Sequence, residues 1–185
     1  LEAEISRVNS EYMSKAKIIS ELRKKGSSKL SSMIESILDS LGIFKGGFKV
    51  HFKEVEASSR GMDRVDYLIT TNKGEEAKPI SKIASGGELS RLMLAVQSAT
   101  NEVYGYGIQV FDEVDAGIGG DVGFKVGGLL KGISSNHQII VITHLPQIAV
   151  FGTRHLSVWK EEHNSRTEVR IETLDKEGRF NEITR

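Results

Sequence analysis

The chain has 185 residues, 38% hydrophobic and 27% charged, with 25 Lys and Arg balancing 25 Asp and Glu and no cysteine. That length suits one well-packed domain plus an appendage, and zero net charge excludes a globally basic nucleic-acid binder while leaving room for a local basic patch. The lack of cysteine excludes disulfides, thiolate zinc sites and a cysteine nucleophile and suits a reducing cytoplasm, and no run approaches the ~18 apolar residues of a membrane span.

The opening LEAEISRVNSEYMSK has neither a basic start nor an apolar core, so it is no secretory signal. It also lacks an initiator Met, and the chain reads as a fragment or a processed product. Leu1, Ile5, Val8, Tyr12, Ile19 and Leu22 recur at intervals of four and three, with Lys15 interrupting the stripe. This pattern predicts the end of a coiled coil over residues 1–25, with residues 26–185 forming one lobe. KKGSSK (24–29) is expected to break or bend the helix, because Gly costs about 1 kcal/mol in a helix interior. Helical spacing resumes through Leu30, Met33, Ile34, Ile37, Leu38 and Leu41 until GIFKGG stops it.

From Phe48 the period becomes two. FKVHFKEVE alternates Phe48, Val50, Phe52 and Val55 as a half-buried strand, with RVDYLITTN (64–72) as its partner. Pro79 precedes a loop. A helix is then expected over 87–103, a strand over 107–111, a helix over about 120–132, a strand over 138–143 and a helix over 146–151. Such alternation, with continuous apolar strands, predicts a buried parallel sheet with right-handed crossovers. HLSVWKEE and RTEVRIETL read as a closing hairpin around HNS, with Trp159 in the core.

Three stretches can carry chemistry. In KIASGGELSRLMLAVQSA (82–99), Ser85, Gly86, Gly87 and Glu88 run straight into a helix. A plain N-cap needs only the Ser. The double Gly lets the backbone approach an anion, and the helix start offers unpaired N–H groups and partial positive charge. In IQVFDEVDAGIGGD (108–121), an apolar strand ends in Asp112 and Glu113, and Asp115 follows. Ligands of open α/β sheets bind at such strand ends, where one carboxylate can hold hydrated magnesium and its neighbour can act on water. An acidic turn is the plain alternative, and the spacing is wrong for an EF-hand. In IIVITHLPQIA (139–149), a strand ends at His144, which can donate to a phosphate or a catalytic water, or merely close the strand. The five histidines lack metal-ligand spacing.

In this order the three stretches resemble the C-terminal lobe of an ABC-type ATPase head. SGGELSRLMLA is similar to its signature motif, IQVFDE to its Walker B strand, VDAG to its D-loop and ITHLPQIA to its switch-histidine segment. Within that family, SGGELSR, FDEVDAGIGG and THLPQIA resemble most the SMC-like heads of bacterial DNA double-strand-break and recombinational repair. The resemblance implies an α/β lobe with a mainly parallel sheet flanked by helices, and a coiled-coil stub. It implies Mg2+ positioned at Asp112 mostly through water, Glu113 as the base orienting the attacking water, and His144 sensing the γ-phosphate of ATP. Ser85, Gly86, Gly87 and Glu88 would reach nucleotide held by an opposing head, with Asp115 near that junction.

The pattern departs from the family at Ala116 and Gly119, where its members carry polar side chains. There is also no GxxxxGK[ST] stretch, and GIFKGGFKV lacks its spacing. The resemblance therefore implies a P-loop on a separate N-terminal lobe, a head-to-head homodimer, DNA contacted by the full-length protein in the cytoplasm at the nucleoid, and no membrane. The chain alone is expected not to hydrolyse ATP. The competing readings are a scaffold lobe, which needs none of Asp112, Glu113 and His144, and a DNA-binding lobe. The latter would use Arg23, Lys24, Lys25 and Lys29, otherwise a solvated coil surface. Arg91 faces the junction or pairs with an acid on its own helix.

Overall fold

The structure, a computed structural model, describes residues 1–41, 47–70, 74–83, 85–101, 107–163 and 166–185. The N-terminal heptad pattern and the helical spacing after it form one helix, α1 (Glu2–Leu41). The expected break at 24–29 is absent. Ser27 and Ser28 bond back to the Lys24 carbonyl at 2.8 and 3.4 Å instead of leaving the helix. The turns on either side of Gly26 are anchored, Ser20 and Arg23 on Asp63 and Glu35 on the Phe48 N–H. Those tertiary bonds outweigh the ~1 kcal/mol that a single Gly costs.

What α1 is anchored to is a long hairpin, β1 (Gly47–Ser58) and β2 (Gly61–Thr70). Its antiparallel register runs from Gly47 opposite Thr70 to Glu54 opposite Asp63, then slips before Ser58 meets Gly61. The predicted row holds, with Phe48 buried and Val50 and Phe52 half-buried. Val55, expected in that row, is exposed where the register slips. A short β3 (Lys78–Pro79) pairs with β2, and a 3-10 turn, Ile80–Lys82, follows. Tyr12 is no simple member of the coil stripe, because its hydroxyl bonds both the carbonyl and the N–H of Ser58 at 3.0 Å. Arg23 donates to the Arg60 carbonyl at 2.9 Å and to Asp63, so it holds the hairpin, while Lys24, Lys25 and Lys29 stay exposed. Leu1, Ile5, Val8, Ile19 and Leu22 of the stripe are also exposed. These elements make one unit, Leu1–Ser85; a second spans Gly86–Arg185.

The second unit runs α2 (Gly86–Thr100), β4 (Ile108–Phe111), α3 (Gly120–Ile133), β5 (Gln138–Val141), α4 (Pro146–Ala149), β6 (Leu156–His163), β7 (Arg166–Thr173) and α5 (Lys176–Thr184). β4 and β5 pair in parallel, and the Ile142 N–H extends the ladder by bonding the Phe111 carbonyl at 2.9 Å. Leu92, Leu94, Ala95, Phe111, Val114, Val126, Leu130, Ile133 and Ile148 are buried in this unit. The fold is thus α/β with a parallel pair linked through α3, while the closing β6–β7 hairpin is antiparallel. Two expectations fail here. The parallel strands are not covered on both faces, since Ile108, Val110, Ile140 and Ile142 line an exposed face. Trp159 is 42% exposed rather than core. α5 has no counterpart in the predicted elements; its N-cap Asp175 accepts the Gly178 N–H at 2.8 Å. The expected stop at GIFKGG, the end of the 64–72 strand and most of the HNS turn lie outside the described residues. Among the described residues no helix is long and apolar enough to cross a membrane.

Candidate functional site

β4 buries Phe111 and ends there, so Asp112 and Glu113 fall where the chain leaves the sheet, and both are exposed. An Asp112 carboxylate oxygen accepts the Glu113 N–H at 2.9 Å. Among the described residues, Glu113 is the one non-glycine with positive φ, at 56°. A side chain in that region costs on the order of 1–2 kcal/mol, and such strain concentrates at functional sites. The bend turns the chain inward at once. The Ala116 N–H bonds the Glu113 carbonyl at 3.1 Å, and Val114 and Asp115 are buried.

The Asp115 carboxylate reaches the end of β5. It accepts the Thr143 hydroxyl at 2.5 Å and the His144 N–H at 2.8 Å, and it lies 3.0 Å from His144 Nδ1. Thr143 in turn accepts the Leu145 N–H at 3.0 Å, which fixes the turn before α4. Burial pushes the Asp115 carboxyl up, but the bonds from Thr143 and His144 and the imidazole's charge outweigh it and hold the group below its ordinary value. The His144 side chain is 75% exposed. With Nδ1 turned to the Asp115 carboxylate, the ring is oriented and its far edge, Nε2, is left for a ligand.

α2 begins on the other side of the same turn. A Cβ at Gly86 would overlap the Glu113 carboxylate. One at Gly87 would lie 2.8 Å from the Ala116 Cβ and 2.9 Å from an Arg91 guanidinium nitrogen. The double Gly, read from sequence as room for an anion, thus has an internal use as well: it lets the turn pack onto the helix start. Ala116, a departure from the family pattern, is small where Gly87 needs it to be. Ser90 then donates to the Asp112 carbonyl at 2.8 Å, and Arg91 donates to the carbonyls of Ala116 and Val114 at 2.6 and 3.4 Å.

Of the predicted site residues, Gly86, Gly87, Glu88, Asp112, Glu113, Asp115 and His144 all belong to the second unit. Ser85 is exposed and closes the first. Ser90 and Thr143 carry no distinctive signal in the sequence, and Arg91 has two readings there. A signal existed for Arg91: four residues beyond Gly87 and four before Ala95, it lies on the buried stripe of α2. No cluster of three or more potential metal ligands occurs among the described residues. Asp112 alone still fits Mg2+, which keeps several waters and takes one or two carboxylates alongside phosphate oxygens.

In fold the chain is similar to SMC head domains. It resembles an Smc head domain with a coiled coil and joint from Pyrococcus yayanosii over 99% of its own length and 35% of that chain, with TM-score 0.59 and 18% identity. It also resembles, with TM-score 0.51 and 20% identity, a chain from work on ATP-driven dimerisation and DNA-stimulated activation of SMC ATPases, covering 87% of this chain and 92% of that one. The sequence is more specific. All of it aligns with the DNA repair protein RecN of Bacillus subtilis at 35% identity over 201 residues, and with RecN of Vibrio cholerae at 35% over 187. The chain matches RecN along its whole length and spans about a third of the length of these relatives. No family model matches it.

Proposed function

We propose that this chain is the C-terminal lobe of an SMC-like ATPase head that acts in DNA double-strand-break and recombinational repair. The observation that carries the reading is the single turn, residues 112–116, around which the start of α2, the Asp112–Glu113 pair and the Asp115-held His144 gather. The match to RecN supports the biological setting.

On this reading ATP is held by the P-loop of a separate N-terminal lobe, because this sequence has no such loop. The exposed apolar faces of β4–β5 and β6–β7 supply surface for that lobe. Asp112 would hold Mg2+ mostly through water, and the ion when bound would supply neutralisation of phosphate charge. Glu113 orients the attacking water and takes its proton, a contribution of about 10²–10⁴-fold for a positioned base. His144 donates from Nε2 to the γ-phosphate, with Asp115 setting the ring's orientation. Ser85, Gly86, Gly87 and Glu88 meet nucleotide on an opposing head, where the start of α2 supplies N–H groups and partial positive charge. ATP then joins two heads and hydrolysis parts them, while DNA is engaged by the full-length protein in the cytoplasm.

ATP turnover by the chain alone, and after mixing with a purified P-loop lobe, tests this. Turnover is expected only in the mixture, and Glu113→Ala in the mixture should abolish it while nucleotide still binds. Turnover that survives Glu113→Ala removes Glu113 as the base. An associated but inactive mixture leaves a scaffold.

A further inference from the structure

Among the described residues Arg91 is the one buried cation. It is 4% exposed, and its Nε is buried with no hydrogen-bond partner. Among the described residues no carboxylate lies within ion-pair distance of its guanidinium. One terminal nitrogen spends its hydrogens on two main-chain carbonyls, those of Ala116 and Val114. Burial works against the charged form, and the nearby charges of Glu88 and Asp115 offset this only in part. Desolvating a guanidinium to reach main chain is a poor way to gain stability, since apolar side chains of similar volume commonly do as well or better. It is an effective way to fix a turn.

From these contacts we infer that Arg91 is a positioning residue for hydrolysis, acting through the main chain of residues 112–116. The turn has three attachments besides β4 itself. Ser90 holds it at Asp112, Arg91 at Val114 and Ala116, and Thr143 with the His144 N–H at Asp115. Glu113 sits inside this frame in its strained left-handed conformation. Gly87 completes the joint, because any Cβ there would strike both Arg91 and Ala116. Without Arg91 the Val114 and Ala116 carbonyls lose their donor, and the turn can relax toward the extended backbone that Glu113 otherwise prefers. The carboxylate of Glu113 and the anchor of His144 then shift together. The inference rests on the proposed ATPase reading, and it adds that the helix start meeting the opposing nucleotide is the element that aims the hydrolytic groups.

The test uses the full-length protein with Arg91→Ala, Arg91→Lys, Glu113→Gln and the Arg91→Ala/Glu113→Gln double variant. Steady-state turnover, nucleotide binding and thermal unfolding are measured for each. Misplacing a reacting group by an ångström costs about 10²-fold, so Arg91→Ala should lower kcat by about that much with KM and nucleotide affinity little changed. Arg91→Lys keeps a charge and a donor and should recover part of the loss. Combining Arg91→Ala with Glu113→Gln should lower turnover little beyond Glu113→Gln alone, since both act through one group. Unchanged kcat in a folded Arg91→Ala protein overturns the inference while leaving the ATPase reading intact, and so does full additivity in the double variant. Unchanged turnover in Glu113→Gln removes Glu113 as the base, whereas no turnover in the unaltered full-length protein overturns the ATPase reading itself. If Arg91→Ala does not fold, Arg91→Lys decides: a fall in kcat at constant KM supports the inference, and wild-type kcat overturns it.

Discussion

A buried carboxylate keeps its charge only where hydrogen bonds replace the water it has lost. Asp115 meets that condition with the Thr143 hydroxyl and the His144 N–H, and its carboxyl is held below the ordinary value. The sign of the linkage follows. The stability this group contributes is fully present above the unfolded value near pH 4 and is lost as pH falls through the lower folded value. Asp115→Asn keeps the shape, loses the charge-assisted bonds and should destabilise the protein by about 1–3 kcal/mol at pH 7. Urea unfolding of both proteins at pH 7 and again near pH 3 checks this, and the gap should narrow in acid. A constant gap would assign the effect to packing instead. Sequence showed Asp112, Glu113 and His144 because each follows an apolar strand. It could not show that Asp115 turns inward, because its partner is a strand end 28 residues away, and although the buried stripe of α2 places Arg91 inside, its main-chain partners carry no sequence signal.

At the scale of elements, periodicity located most helices and strands and failed where local signals disagreed with tertiary anchors. KKGSSK has the composition of a break, yet α1 passes through it because the hairpin grips the helix on both sides. α5 went unseen because its Lys-Glu-Gly-Arg opening has no apolar stripe; only the Asp175 cap marks it. A test of the α1 account lies at Gly26, where a Cβ would meet nothing within 4 Å. If the helix there is regular and Gly is only tolerated, Gly26→Ala should stabilise the protein by about 0.4–1 kcal/mol, mainly through the unfolded chain. Denaturant melts read this directly. A loss of stability would mean that the helix needs the freedom of Gly26.

At the scale of the whole molecule, the second unit is incomplete as a buried structure. Ile108, Val110, Ile140 and Ile142 form one row across β4–β5, and Leu156, Val158, Val169 and Ile171 form another across β6–β7, all of them exposed. Isolated exposed apolar side chains are ordinary, but contiguous rows on two sheets mark surfaces that another protein covers. Fully burying a side chain of this kind contributes about 1.5–3 kcal/mol before the costs of association, so eight of them amount to a large driving force. The proposed P-loop lobe is the occupant that also supplies the missing phosphate grip. Val110→Asp and Val158→Asp should therefore abolish association with that lobe, as read by analytical ultracentrifugation. Because both positions are solvent-facing, each should change the stability of the chain alone by no more than about 0.5 kcal/mol. On the proposed reading one lobe both covers these faces and holds the nucleotide, so restored turnover should fall in step with association. If both variants associate and turn over like the unaltered chain, the two lobes meet elsewhere and these rows serve a different partner.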